Sequence, residues 1–129
     1  MTQHEMVKEF HERFSVTVAQ APRELSNDEF SFRFKFLHEE LREFDEAYRR
    51  GDIVKQADAL LDLAYVVHGT ALMMGLPWDA MFAAVHDANM QKVSARDAGV
   101  AGRHPLDVVK PAGWIGPEAT LAALLGRLP

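Results

Sequence analysis

The chain contains no cysteine. That excludes a disulfide framework, a thiolate zinc site and a thiol nucleophile together. No apolar run reaches the roughly 18 residues that span a bilayer. The N-terminal stretch MTQHEMVKEFHERF is charged throughout and lacks the apolar core of a signal peptide. Positive charge is in deficit, 14 Lys and Arg against 19 Asp and Glu, for a formal net charge of −5. A general nucleic-acid binder usually shows the opposite balance, although phosphate ligands stay open where a cation mediates. Internal repeats and low-complexity segments are also missing. What is present, 48% hydrophobic and 26% charged residues, is ordinary globular composition. These features predict a soluble cytoplasmic protein with no membrane or nucleic-acid partner. A chain of 129 residues is expected to form one domain with a single core.

Apolar spacing predicts four helices and an irregular tail: an all-α bundle with its core over about 1–95 and a tail over about 96–129. The first helix, 2–18, carries Met6, Val7, Phe10 and Phe14 on one face. Pro22 lies in the loop that follows, and Ser26 or Asn27 can cap the second helix, 28–50, which ends at Gly51. Phe30, Phe32, Phe34 and Phe36 alternate as in a strand, but Leu37, Leu41, Phe44 and Tyr48 recur at helical spacing, and helix is the reading adopted. The third helix, 53–74, is apolar on most sides, as a central buried helix is. Gly75 suits its C-cap and Pro77 the first turn of a fourth helix that runs to about residue 93. The Gly- and Pro-containing stretch 97–117 reads as irregular, followed by a short apolar segment at 121–125.

The informative feature is the placement of carboxylates. At about 100° per residue, with Leu37 set at zero, Glu40 falls at about 300°, inside the apolar stripe between Phe44 and Ala47. Glu43 lies on the edge of that stripe and Glu39 one step further out. On the third helix Asp58 and Asp62, four residues apart, share a face among Ala57, Ala59, Leu60, Leu61, Leu63 and Ala64, with Tyr65 one turn on. Isolated buried carboxylates cost several kcal/mol unless they are neutralised, paired or bound to a cation. Basic residues are missing from those faces, so a hard divalent cation is the economical partner, and an all-carboxylate set suits Mg²⁺ or Mn²⁺. A di-iron bundle wants Glu-x-x-His pairs, and neither Asp58 nor Asp62 has a histidine three residues on.

On the fourth helix, His86, Asn89 and Lys92 follow at steps of three and form a donor-rich strip that suits phosphate oxygens. His68, in an apolar helix, reads as a satisfied core histidine. The tail segment Lys110-Pro111-Ala112-Gly113-Trp114 puts a cation and an aromatic ring in a stiff loop, which can close over a nucleotide or pack down on the bundle.

Glu39-Glu40-x-x-Glu43, Asp58-x-x-x-Asp62-Leu-Ala-Tyr65, Gly69-Thr70-Ala71 and Gly75 together resemble the all-α NTP pyrophosphatase superfamily, and within it the small MazG-like, phosphoribosyl-ATP-pyrophosphohydrolase-like proteins. Val85-His86-x-x-Asn89-Met90-x-Lys92 and the Lys110-Pro111…Trp114…Pro117 tail resemble the same group. The resemblance implies a reaction NTP + H₂O → NMP + pyrophosphate, at a site built between subunits of a helical homodimer or dimer of dimers, and a role in clearing dUTP, dCTP or non-standard nucleotides. It also implies a metal motif E-x-x-E followed by E-x-x-D. Glu40 and Glu43 match the first half and Asp62 the final Asp. The second Glu is absent, its places being taken by Ala59 or Lys55, and Asp58 is the candidate to fill its role. The expected assignment is Mg²⁺ (or Mn²⁺) on Glu40, Glu43, Asp58 and Asp62, with Glu39 as general base. Asn89, Lys92 and Lys110, with His86, would hold phosphates, and Phe14, Tyr65 or Trp114 would stack on the base. The alternative is a catalytically impaired nucleotide-binding or regulatory helical dimer.

Overall fold

Short polar side chains set where the helices begin. In the computed structural model, which describes residues 1–127, Thr2 caps α1 (Gln3–Arg13) and Ser26 caps α2 (Asn27–Arg49). Both do so through capping boxes completed by Glu5 and Glu29. Asp52 caps α3 (Ile53–Met73) by accepting from the Lys55 amide. The family of helices is completed by α4 (Trp78–Asn89), α5 (Ala95–Ala98) and α6 (Glu118–Leu124), so the architecture is all-α as the periodicity predicts.

The chain falls into two compact units, residues 1–78 and the remainder from Asp79. In the first, α2 and α3 form an antiparallel hairpin across a tight connection at Gly51, and α1 packs on α3. The contact is made by small residues: Ala47, Ala59 and Ala71 are all buried. Gly69 is where α1 and α2 both reach α3, because a Cβ there would lie 2.7 Å from His11 Nε2 and closer still to Arg33 Nη2. Arg33 is buried with no carboxylate partner among the described residues. Its Nε donates to Thr70 Oγ1 and its Nη2 to the Val66 carbonyl, each at 3.0 Å.

Two features of this unit differ from the sequence expectation. The first helix stops at Arg13 rather than near residue 18, since Ser15 takes a left-handed φ of 56° and turns the chain. The following loop is then tied to the end of α3 by Ala19 N–H to Leu72 O and Arg23 N–H to Met74 O. The third helix is not wrapped on all sides: Ile53, Val54, Leu60 and Leu61 are exposed.

In the second unit, α4 ends at Asn89 rather than near residue 93, and the largely irregular tail carries short elements. Val93–Ser94 (β1) pairs antiparallel with Val108–Val109 (β2), in the register Val93↔Val109 and Ser94↔Val108, and α5 and α6 follow β1 and β2 in turn. Two-residue strands carry too little alternation to be read from sequence.

Candidate metal centre

The hairpin of α2 and α3 brings Glu40, Glu43 and Asp62 together, with one carboxylate oxygen from each lying within 4.8 Å of the others. Glu40 sits at the middle of the buried face of α2, between Arg33 two turns before it and Ala47 two turns after. It is 8% exposed, whereas Asp62 is half-buried and Glu43 exposed. The exposed side of the α2 stripe carries Leu41 and Tyr48 instead. Glu40 Oε2 is buried and has no hydrogen-bond partner among the described residues.

Like charges at this spacing cost about 3 kcal/mol per pair at an effective dielectric of 20, and the titration behaviour reflects it. Burial first, then a hydrogen bond to Glu43 and the charges of Glu43, Asp62 and Asp58, push the Glu40 carboxyl up to about 7. Burial, then Asp58 and Glu43, also raise Asp62. An orphaned buried oxygen inside a carboxylate cluster that suppresses its own ionisation fits a hard cation, which would supply the missing positive charge.

A model of the phosphoribosyl-ATP pyrophosphohydrolase family matches residues 7–89. The chain belongs to that family. As a phosphoribosyl-ATP pyrophosphohydrolase family member it sits within the MazG-like all-α NTP pyrophosphatase superfamily, among hydrolases of phosphoanhydride bonds that are typically metal-dependent and act on nucleotides. No match was found among curated proteins.

In this family member the acidic cluster covers three of the four expected ligands. Asp58 is exposed and stays outside the group. Four residues of helix set it about 40° round from Asp62, and it acts on Glu40 and Asp62 through its charge. Ala59, one of the two places where the family pattern has Glu, is 2% exposed. Glu39 is exposed and borders two shallow grooves on α2, one with Phe32, Lys35 and Phe36, the other with His38, Leu41, Arg42 and Asp45. Tyr65 meets Phe10 edge-on at 5.4 Å, and Phe10 meets Phe14 at 4.7 Å, so two of the expected stacking residues form one partly exposed aromatic group on α1 and α3.

The remaining expected residues lie in the second unit. His86 and Asn89 are exposed on α4, but Lys92 has left the helix, which breaks the expected strip. The β1–β2 register explains where it goes. Lys92 and Lys110 flank the paired Val93 and Val109, and their Nζ atoms lie 5.2 and 5.1 Å from the Trp114 ring centroid. Trp114 Nε1 donates at 2.8 Å to the Ala88 carbonyl near the end of α4, which also accepts from the Gln91 amide. The ring therefore packs down on α4, where it borders a cavity of about 630 Å³ with Ala84, Asp87, Pro117 and Leu124. Nothing in the sequence spacing shows that two lysines eighteen residues apart converge on one indole, because the strand pair that joins them is too short to leave a pattern.

Proposed function

We propose that the protein is a Mg²⁺-dependent (deoxy)nucleoside triphosphate pyrophosphohydrolase that converts (d)NTP and water to (d)NMP and pyrophosphate. The observation that carries this reading is the buried, unpartnered Glu40 Oε2 inside the Glu40–Glu43–Asp62 cluster. These three residues are the ones that would hold Mg²⁺ (or Mn²⁺), with Asp58 contributing charge from outside the group. When bound, the ion supplies charge neutralisation for the triphosphate and Lewis-acid polarisation at phosphorus.

The residues of the chain then have distinct tasks. Glu39, exposed and next to Glu40, accepts a proton from the attacking water. The water oxygen forms the new bond to the α-phosphorus, the bond from that phosphorus to the α–β bridging oxygen breaks, and the electron pair leaves with pyrophosphate. Lys92 and Lys110, together at Trp114, offer positive charge, and His86 and Asn89 on α4 offer donors, for phosphate oxygens. Tyr65 with Phe14, and Trp114, offer aromatic faces. Pool sanitation, removing dUTP, dCTP or non-standard nucleotides, is the role this activity serves.

A homodimer or dimer of dimers belongs to the same proposal. Ile53, Leu60, Leu61 and Val67 form an exposed apolar stripe along α3, and Phe30, Phe34, Leu41 and Tyr48 form another along α2. A contiguous apolar surface of this kind marks an interaction site, and a second copy presents matching stripes.

The test is pyrophosphate release from a panel of natural and modified dNTPs and phosphoribosyl-ATP in the presence of Mg²⁺. Turnover that survives unchanged in both Glu43→Gln and Asp62→Asn would refute the assignment. Turnover confined to phosphoribosyl-ATP would move the substrate to the compound in the family's name. A catalytically impaired nucleotide binder is the second reading, favoured by the buried Ala59 and by Asp58 lying outside the cluster. Heat on titration with a non-hydrolysable triphosphate, without pyrophosphate release from the natural ones, would select it.

A further inference from the structure

The metal cluster and the phosphate-binding lysines leave one part of α2 unexplained. Phe36 and Phe32 lie one and two turns N-terminal to Glu40, on the side of the helix that also carries Glu39 and Glu43. Their rings meet edge to face at 5.9 Å. Phe32 is 60% exposed and Phe36 half-buried, an arrangement that leaves apolar ring faces open to water. With Lys35 and Glu39 they line a shallow groove of about 320 Å³ on the face of α2.

The pair is held from behind. The Arg33 guanidinium lies 6.0 Å from the Phe32 centroid and 5.8 Å from that of Phe36. Arg33 is itself buried and anchored to α3 through Thr70 and Val66. A platform fixed in this way loses little entropy when a flat ring settles on it. Its place along the helix is equally specific. Phe36 precedes Glu40 by one turn, about 6 Å of rise, comparable to the span across a ribose from a base to its 5′-phosphate. The groove runs on to Glu39, the residue next to Glu40.

We propose that Phe32 and Phe36 form the platform for the nucleobase of the substrate, with Lys35 at its rim. This rests on the nucleotide reading above and adds the residues that recognise the base. Aromatic stacking tolerates any base, so the platform sets affinity for a nucleotide over bare polyphosphate rather than choice among bases.

The test compares the Phe32→Leu/Phe36→Leu double variant with wild type by titration, in Mg²⁺, of an α,β-imido deoxynucleoside triphosphate and of inorganic tripolyphosphate. Leucine keeps the apolar volume and removes the ring face, and Phe36→Tyr, which keeps a ring, serves as the rescue. The expected result is nucleotide affinity about tenfold weaker in the double variant, unchanged tripolyphosphate affinity and near-wild-type binding by Phe36→Tyr. Three results overturn the proposal: nucleotide binding unchanged in the double variant, equal loss of both ligands with or without dissociation of an oligomer on light scattering, or wild type binding nucleotide no better than tripolyphosphate. Pyrophosphate release by wild type is scored separately. A wild-type protein that binds the imido nucleotide through these rings but turns over none of the natural ones keeps the platform and loses the hydrolysis.

Discussion

Glu40 concentrates the cost and the use of the site in a single carboxyl. Its ordinary value of 4.5 is pushed up to about 7 by burial and by neighbouring carboxylates. Between those values the unfolded chain releases this proton while the folded one keeps it, so this group's contribution to stability falls as pH rises through the window. Asp62, also raised, acts in the same direction. His11 acts in the opposite one: burial lowers it from 6.5, so its penalty grows as pH falls below that value. The difference between wild type and Glu40→Gln isolates the carboxyl. Without metal, Glu40→Gln should be more stable than wild type at pH 8 by on the order of 2 kcal/mol, and the gain should vanish near pH 4.5. Thermal melts across that range measure it. Adding Mg²⁺ should stabilise wild type and leave the variant nearly unmoved, since ligand binding stabilises only the form that binds.

At the scale of elements, the close approach of three helices at Gly69 carries a prediction of its own. A methyl group there meets His11 and Arg33, both buried, and neither can retreat without abandoning its hydrogen bonds to Thr17, Thr70 and Val66. Gly69→Ala should therefore destabilise by about 1–3 kcal/mol despite the better helix propensity of alanine, visible as a lower denaturation midpoint. In the second unit, Trp114→Phe keeps a ring between Lys92 and Lys110 but removes the N–H that Ala88 accepts. A loss of about 1 kcal/mol is expected, and faster amide exchange through β2 and α6 would report it. The long helices were legible because each begins on a side-chain cap and ends near a glycine with positive φ, as at Gly51 and Gly75. The end of α1 was not, since Val16 and Val18 continue an apolar pattern that only the left-handed Ser15 interrupts.

For the whole molecule, the thin interior is the telling property. Ala47, Ala59, Ala71, Ala88 and Ala95 make up much of the buried apolar set, and among the described residues no large side chain is fully buried. Leu61, 67% exposed, and its neighbours on α3 stay in water instead. Replacing Leu60 and Leu61 by Glu should leave the helical content intact but shift light-scattering mass to that of one chain. A mass already equal to one chain in wild type would remove the dimer from the proposal.

The sequence by itself determined the all-α architecture, the two long helices of the hairpin and the identity of Glu40, Glu43 and Asp62 as carboxylates on apolar faces. These follow from periodicity and capping, which are local. Tertiary structure alone decided that Asp58 stays outside the group, that Glu40 is the orphaned member at the centre of the buried face, and that Lys92 and Lys110 meet on Trp114. Those outcomes depend on how one helix is rotated against another and on a ladder of two residue pairs, and the distances involved are set by packing across the chain rather than by spacing along it.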